Sequence, residues 1–226
     1  MTDDELQYNV DHYQPSNEVL EGVAGVKLIA MVGPSGVGKT TIMDLAVWKT
    51  PLLQRVKDVT TRAPRGENSD SEFNFMTKDQ VIEGMKNKEF VQVALMQTGH
   101  LYATRPQDYP RGRISVMAVL SSAVPNFRRI FPDLVTTFIV PKSYEMWMDW
   151  FDQRKDDEAD VQKRLEEAKT SLTFAANDKQ TKYILNDELD KAVDRLVQVA
   201  DGFPPDDEDE ARQLVNEHLE KLQHRN

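Results

Sequence analysis

Cysteine is absent from this chain of 226 residues, which removes disulfides and thiolate metal sites and fits a cytoplasmic protein. Histidine is scarce: His12, His100, His218 and His224 are scattered and form no H-x₃-H pair, so a histidine metal site is not expected. No apolar run approaches the ~20 residues that crossing a membrane requires. The start, Met1-Thr2-Asp3-Asp4-Glu5, is acidic and lacks the basic and apolar segments of a secretion signal. Positive charge is in deficit. With 28 Lys and Arg against 38 Asp and Glu the net charge is −10, which argues for solubility and against a nucleic-acid surface. A basic cluster that persists against that balance is therefore informative.

The strongest signal present is Gly33-Pro34-Ser35-Gly36-Val37-Gly38-Lys39-Thr40, which fits the phosphate loop G-x-x-x-x-G-K-[ST]. The apolar run Val26–Val32 before it reads as a buried strand, and Thr41–Trp48 after it reads as a helix. That setting matters because the chemistry comes from the backbone. Glycines let the chain approach an anion closely, and successive N–H groups with the helix N-terminus then face the phosphates. Lys39 is expected to reach the outer phosphates and the Thr40 hydroxyl to ligate Mg²⁺, with Thr41 completing the ATP-binding set. A chance Gly-rich turn would lack the flanking strand and helix. The pattern predicts binding of a nucleoside triphosphate.

The length allows one large domain or a domain with appendages. Residues 1–24 read as an acidic extension outside the core. From 25 to 201 short apolar runs alternate with amphipathic stretches, the pattern of an α/β fold with a mainly parallel sheet. Expected strands are Val26–Val32, Arg55–Val59, Ser115–Leu120, Val135–Val140 and Tyr183–Leu185. Phe73–Met76, Phe90–Met96 and Leu101–Tyr102 read as a smaller antiparallel set, with a helix near Lys78–Lys86, forming a separate lobe at about 58–105. The stripe Tyr144, Met146, Trp147, Met148, Trp150 and Phe151 reads as core packing. Helices are expected at Asp160–Ala176 and Glu188–Ala200. Gly202-Phe203-Pro204-Pro205 then breaks the chain before an acidic helix within 202–226. Its apolar face, Ala211, Leu214, Val215, His218, Leu219 and Leu222, must pack on its own domain or on a second copy, giving a monomer or a homodimer.

A second cluster, Thr60-Thr61-Arg62-Ala63-Pro64-Arg65-Gly66-Glu67, holds two arginines three apart in a turn-rich segment. Two guanidinium forks suit a dianionic phosphate, though the pair alone reads as well as solvated surface charge. The segment closely resembles the Thr-Thr-Arg-x-Pro-Arg signature of the guanylate kinase family. The likeness runs through Phe73-Asn74-Phe75, Lys88-Glu89-Phe90 and Tyr102. It resumes at Lys163-Arg164-Leu165 and Ile184-Leu185-Asn186-Asp187-Glu188, and covers roughly 26 to 200 in consistent order. It implies a P-loop NTPase fold with a parallel-sheet core, a small nucleoside-monophosphate lobe and a helical lid at about 151–161. It also implies transfer of the γ-phosphoryl group of ATP, with Mg²⁺, to GMP or another nucleoside monophosphate. By resemblance Arg62, Arg65 and Tyr102 hold the acceptor phosphate, and Arg154 and Arg164 are the lid arginines, with Lys155 a partial substitute for a missing one. Asn186 falls where the family borders the adenine of ATP.

Departures from the family pattern gather at the acceptor base. Gln92 stands for a glutamate that reads guanine, Asp58 for a serine near guanine O6, and Phe73 for a tyrosine on the acceptor phosphate. Thr104 replaces a serine, and Ala118 and Leu120 stand where two aspartates are usual. A carboxylate repels O6 but accepts from an amino group, and Gln both donates and accepts, as in pairing with adenine. These changes predict a weakened GMP preference in favour of an amino-bearing base. Two other readings compete: a non-catalytic guanylate kinase-like binding module, and a kinase of a sugar phosphate. Retention of Lys39, Thr40 and the lid arginines opposes the first. The nucleotide-type Thr-Thr-Arg-x-Pro-Arg segment opposes the second.

Overall fold

The computed structural model describes residues 2–64, 73–96, 98–152 and 158–224. The chain divides into two compact units, one of Met1–Val26 with Arg55–Ser115, the other of Lys27–Gln54 with Val116–Asn226. In chain order the elements begin with α1 (Asp3–Asp11), α2 (Asn17–Gly22), β1 (Lys27–Val32), α3 (Lys39–Lys49), β2 (Leu53–Arg55) and β3 (Asp58–Thr60). Next come β4 (Phe73–Phe75), α4 (Lys78–Lys86), β5 (Gln92–Leu95), β6 (Leu101–Thr104), β7 (Ile114–Ala118) and α5 (Val124–Ile130). The last are β8 (Val135–Pro141), α6 (Tyr144–Asp152), α7 (Glu158–Asn177), β9 (Lys182–Asn186), α8 (Leu189–Ala200) and α9 (Glu208–Gln223).

The five-stranded sheet has the order β2-β7-β1-β8-β9, and β1–β8 and β8–β9 pair in parallel. Parallel strands covered on both faces are apolar throughout, rather than alternating. Accordingly Leu28 to Val32, Phe138 to Val140 and Tyr183 to Leu185 are all buried. Each fully buried large side chain contributes about 1.5–3 kcal/mol, so these three strands hold much of the unit's apolar burial. Helix α8 buries Ala192, Val193, Leu196 and Val199, one helical stripe, and packs against α3 and β9. The tail helix α9 packs on α7, β8 and β9 through Ala211, Val215, His218 and Leu222, so its apolar face is used within its own unit. Arg195 joins its entry to the sheet: its guanidinium donates to Leu185 O and Asp187 Oδ1, each at 2.6 Å, and pairs with Asp207 at the α9 N-cap.

In the other unit the sheet order is β4-β3-β6-β5. The expectation of an antiparallel set holds for β5–β6; β3, expected in the main sheet, pairs antiparallel with β6 and parallel with β4, so the sheet is mixed. The connection 61–72 is long enough for a crossover, and hairpin turn chemistry does not force the antiparallel choice. A second correction concerns Arg55–Val59, expected as one strand. Leu53–Arg55 ends in the five-stranded sheet and Asp58–Thr60 opens in the mixed one, with Val56 buried between them. A short apolar run carries no mark of which sheet it joins.

The N-terminal segment, expected outside the core, is a third correction. Leu6 and Val10 of α1 are buried in one cluster with Val59, Val81, Met85, Phe90, Leu101 and Ala103. A Thr2–Glu5 capping box fixes the start of α1. Tyr13 locks its exit, accepting from Phe90 N at 2.9 Å and donating to Phe90 O at 2.7 Å, and burial raises its pKa to about 12.

His218 generates a pH prediction. Its Nε2–H donates to Pro141 O at 2.8 Å, and Nδ1 is buried without a partner. Burial lowers its pKa below the ordinary 6.5, with the Lys221 charge adding to that direction and the Pro141 bond opposing it. The unfolded chain therefore binds a proton that the folded one rejects, and stability must fall as pH drops below about 6.5. Urea midpoints between pH 7.5 and 5 should decline more steeply for the wild type than for His218→Gln. Equal slopes would remove His218 from the acid response.

Candidate active site

The phosphate loop joins β1 to α3. Gly33, Gly36 and Gly38 all have positive φ, at 147°, 85° and 89°. At Gly33 a Cβ would lie 3.0 Å from Ile139 O, and at Gly38 3.0 Å from Asn186 Nδ2, so neither position has room for a side chain. Gly38 is the N-cap of α3, which aims the helix N-terminus at the loop. Three side chains hold the loop's own carbonyls. Asn186 Nδ2 donates to Val37 O at 3.0 Å, Trp147 Nε1 donates to Ser35 O at 3.0 Å, and Lys39 Nζ donates to Pro34 O at 2.9 Å and also to Gly33 O. A glycine loop of this kind, opening onto a helix N-terminus, suits an anion through its peptide N–H groups. Val37 is fully buried, whereas Thr40 and Thr41 are exposed on the first turn of α3.

Two of these contacts extend the sequence reading. Trp147 belongs to the core stripe, as expected, and is fully buried, with Met148 and Phe151 largely buried beside it. Its indole N–H is nevertheless a support of the loop, which helical spacing alone could not reveal. Asn186, placed by resemblance at the adenine, is only 6% exposed and spends its amide nitrogen on Val37 O. Its observed role is to hold the loop.

Strand alternation assembles the other candidate residues. Asp58 pairs with Phe73, Thr60 with Tyr102, and Gln92 with Thr104. Side chains two apart share a face, so Asp58, Phe73, Gln92, Tyr102 and Thr104 all fall on one face of the mixed sheet. Val59, Ala103 and Val93 fall on the other, which packs on the apolar cluster with α1. Arg62, just past β3, lays its guanidinium 5.1 Å from the Phe73 ring centroid, and its Nε is buried without a hydrogen-bond partner. Tyr102 meets the same ring edge-on at 6.0 Å. A phenyl face in place of a phenol therefore steadies the arginine by cation–π attraction rather than by a hydroxyl. Thr104 is fully buried, and its hydroxyl lies 2.8 Å from that of Tyr109, a residue the sequence reading did not single out.

Of the remaining candidates, Arg164 is half-buried on α7. Arg65 and Arg154, with Lys155, lie outside the described residues. The expected lid at 151–161 overlaps regular structure at both ends: Phe151 and Asp152 close α6 and 158–161 open α7. Ala118 ends β7 and Leu120 follows it, so no carboxylate stands at either position.

A parallel sheet whose central strand delivers a glycine loop onto a helix N-terminus defines a P-loop phosphotransferase. The guanylate kinase family model matches residues 25–201. The guanylate kinase of Trichodesmium erythraeum is 30% identical over 184 residues, covering 78% of this chain and 97% of that protein. That of Synechocystis sp. is 31% identical over 180 residues, covering 76% and 92%. Among solved structures, guanylate kinase from Anaplasma phagocytophilum aligns with a TM-score of 0.59 at 18% identity, covering 79% of this chain and 85% of that one. The chain belongs to the guanylate kinase family.

The Asn186 contact is testable without any ligand. Asn186→Ala leaves the buried Val37 carbonyl without its donor, so it should cost about 1–3 kcal/mol in urea unfolding. A loss below about 0.5 kcal/mol would mean that the loop does not depend on this bond.

Proposed function

We propose that the protein transfers the γ-phosphoryl group of ATP to a nucleoside monophosphate whose base, adenine or cytosine, carries an amino group where guanine carries O6, in preference to guanine. Phosphoryl transfer asks for positioning and charge neutralisation rather than covalent help, and the residues retained supply both. The loop amides and Lys39 would hold the donor phosphates. Arg62, Arg65 and Tyr102 would hold the acceptor phosphate, and Arg154 and Arg164 would offset charge on the transferred group. Thr40 would be the protein ligand of Mg²⁺, and its exposed hydroxyl on the first turn of α3 fits that role. No group of three His, Cys, Asp or Glu side chains suited to a metal occurs among the described residues. Mg²⁺ is commonly held mainly by phosphate oxygens and water, with one or two protein ligands. When bound it would neutralise charge on the phosphate oxygens.

One observation carries the specificity: Asp58 and Gln92 lie on the polar face of the mixed sheet together with Tyr102. By resemblance these two positions read guanine through a serine and a glutamate. Replacing them with an acceptor-only carboxylate and an amide that both donates and accepts inverts the pattern presented to the base. A buried hydrogen-bonding group left unpaired costs about 1–3 kcal/mol, which is ample to reverse a preference.

A coupled assay across ribo- and deoxyribonucleoside monophosphates should give the highest kcat/KM with an adenine or cytosine nucleotide. Strong preference for GMP would overturn the specificity, and transfer to none of them would overturn the kinase reading. Lys39→Met should lower turnover by about 100-fold or more. The double change Asp58→Ser with Gln92→Glu should raise kcat/KM for GMP relative to the wild type's best acceptor by about tenfold or more.

A further inference from the structure

Tyr109 follows the 3-10 turn Pro106–Asp108, and that turn is closed firmly. Arg105 N donates to Asp108 Oδ2 at 2.8 Å, the Arg105 guanidinium adds bonds of 3.2 and 3.1 Å to both carboxylate oxygens, and Asn74 Nδ2 donates to Asp108 Oδ1 at 3.2 Å. From the other side Gly22 of α2 packs against Pro106 so closely that a Cβ would come within 2.8 Å of its ring. The turn therefore delivers the Tyr109 phenol to a fixed point. There the ring is 2% exposed and its hydroxyl meets that of the wholly buried Thr104 at 2.8 Å.

A buried pair of hydroxyls carries two protons, and the contact between the oxygens uses one of them. The second needs an acceptor. The antiparallel register of β3 and β6 runs Thr60 opposite Tyr102 and Val59 opposite Ala103, which brings Asp58 beside Thr104 at the next step. On the far side of Thr104 lies its partner Gln92. Burial raises the phenol's pKa far above its ordinary range, and the nearby Asp58 charge raises it further, so the phenol keeps its proton at any working pH.

We propose that Tyr109 is a positioning residue for base selection: with Thr104 it forms a buried hydroxyl pair whose second proton is directed at the Asp58 carboxylate, fixing Asp58 as the acceptor that selects a base bearing an amino group in place of guanine O6. A half-buried carboxylate needs donors to stay ionised and in place, and a hydroxyl pair supplies one without adding a competing positive charge. The remaining lone pairs of Asp58 then face the ligand as acceptors. This inference rests on the acceptor specificity proposed above.

The test uses the full-length protein with Tyr109→Phe, which removes one oxygen and keeps the ring, Asp58→Asn, and the double variant. Ratios of kcat/KM between the best amino-bearing monophosphate and GMP are compared, with KM for ATP measured alongside. Tyr109→Phe should reduce the ratio about tenfold through the acceptor KM and leave KM for ATP within about twofold. Asp58→Asn should reduce the ratio at least as far, and adding Tyr109→Phe to it should change nothing more, because the pair acts through the carboxylate. Thr104→Ser, which retains the hydroxyl, should keep the wild-type ratio. A Tyr109→Phe ratio within twofold of wild type overturns the proposal, as does an effect that multiplies with that of Asp58→Asn. The wild-type ratio alone judges the acceptor specificity, so the two can fail separately. Should Tyr109→Phe melt too low for assay, Thr104→Val deletes the other hydroxyl and must give the same loss. If no transfer occurs, the same comparison is made on stabilisation by each monophosphate without ATP, since a ligand that binds the folded state raises its melting temperature.

Discussion

Phosphate binding by a loop of this kind rests on its peptide N–H groups, and here the loop's carbonyls are held by side-chain donors. Asn186, Trp147 and Lys39 each take one or more of them. These donors come from the end of β9, from α6 and from the loop's own helix, so packing of the five-stranded unit sets the loop geometry. The glycines follow from the same arrangement. Gly33 faces the β8 backbone at Ile139, and Gly38 faces the amide that holds Val37, so a side chain at either would displace a support as well as strain the backbone. The loop is thus one piece with its unit, and the apolar strands beneath it serve function by staying still.

The mixed sheet works by a different rule. Its backbone contributes register only, and chemistry is sorted by the two-residue period. Even-numbered positions of β3 and β6 carry Asp58, Thr60, Tyr102 and Thr104, while Val59, Leu101 and Ala103 hold the apolar cluster with α1. A face built this way can change what it reads without loosening the core behind it. Arg62 shows the economy of that face. Phe73 cannot offer a phenol, yet its ring lies under the guanidinium and leaves Nε without a protein partner. The guanidinium is held at its plane by the ring, with Nε outside any protein hydrogen bond.

Most of this was legible in the residues. The loop, its strand and its helix were fixed by spacing and glycine content, and the long buried strands by continuous apolar runs. The face shared by Asp58, Gln92 and Tyr102 was reachable only through the family resemblance, because three- and four-residue strands are too short to show alternation. The break between Arg55 and Asp58 was hidden for the same reason. So was the parallel β4, since strand direction depends on the path of the connection rather than on composition. Residues 1–24 looked like an extension because their polar residues outnumber Leu6, Val10 and Val19. Two anchors in one nine-residue helix are enough to bury it when the partner surface already exists. Tyr109 and the indole of Trp147 gave no local signal at all. Their partners lie 5 and 112 residues away, and the shorter of those contacts bends through a 3-10 turn that propensity does not foretell.

The two kinds of recognition divide the work in a way that bears on how activity and specificity can separate. Phosphate contacts rest on backbone amides and on guanidinium and ammonium groups, which do not distinguish bases. Base contacts rest on a few side chains, each able to change the balance by about 1–3 kcal/mol, or roughly 5- to 150-fold. The loop and the face proposed to read the base belong to different compact units. On the proposed reading, Asp58 and Gln92 alter the base contacts while the residues meant for phosphate are kept. A carboxylate on a half-buried face needs a donor, and on that reading Thr104 on the adjacent strand, with Tyr109 beyond the 3-10 turn, is placed to supply one. The residue proposed to touch the base and the residues proposed to hold it then form one matched set.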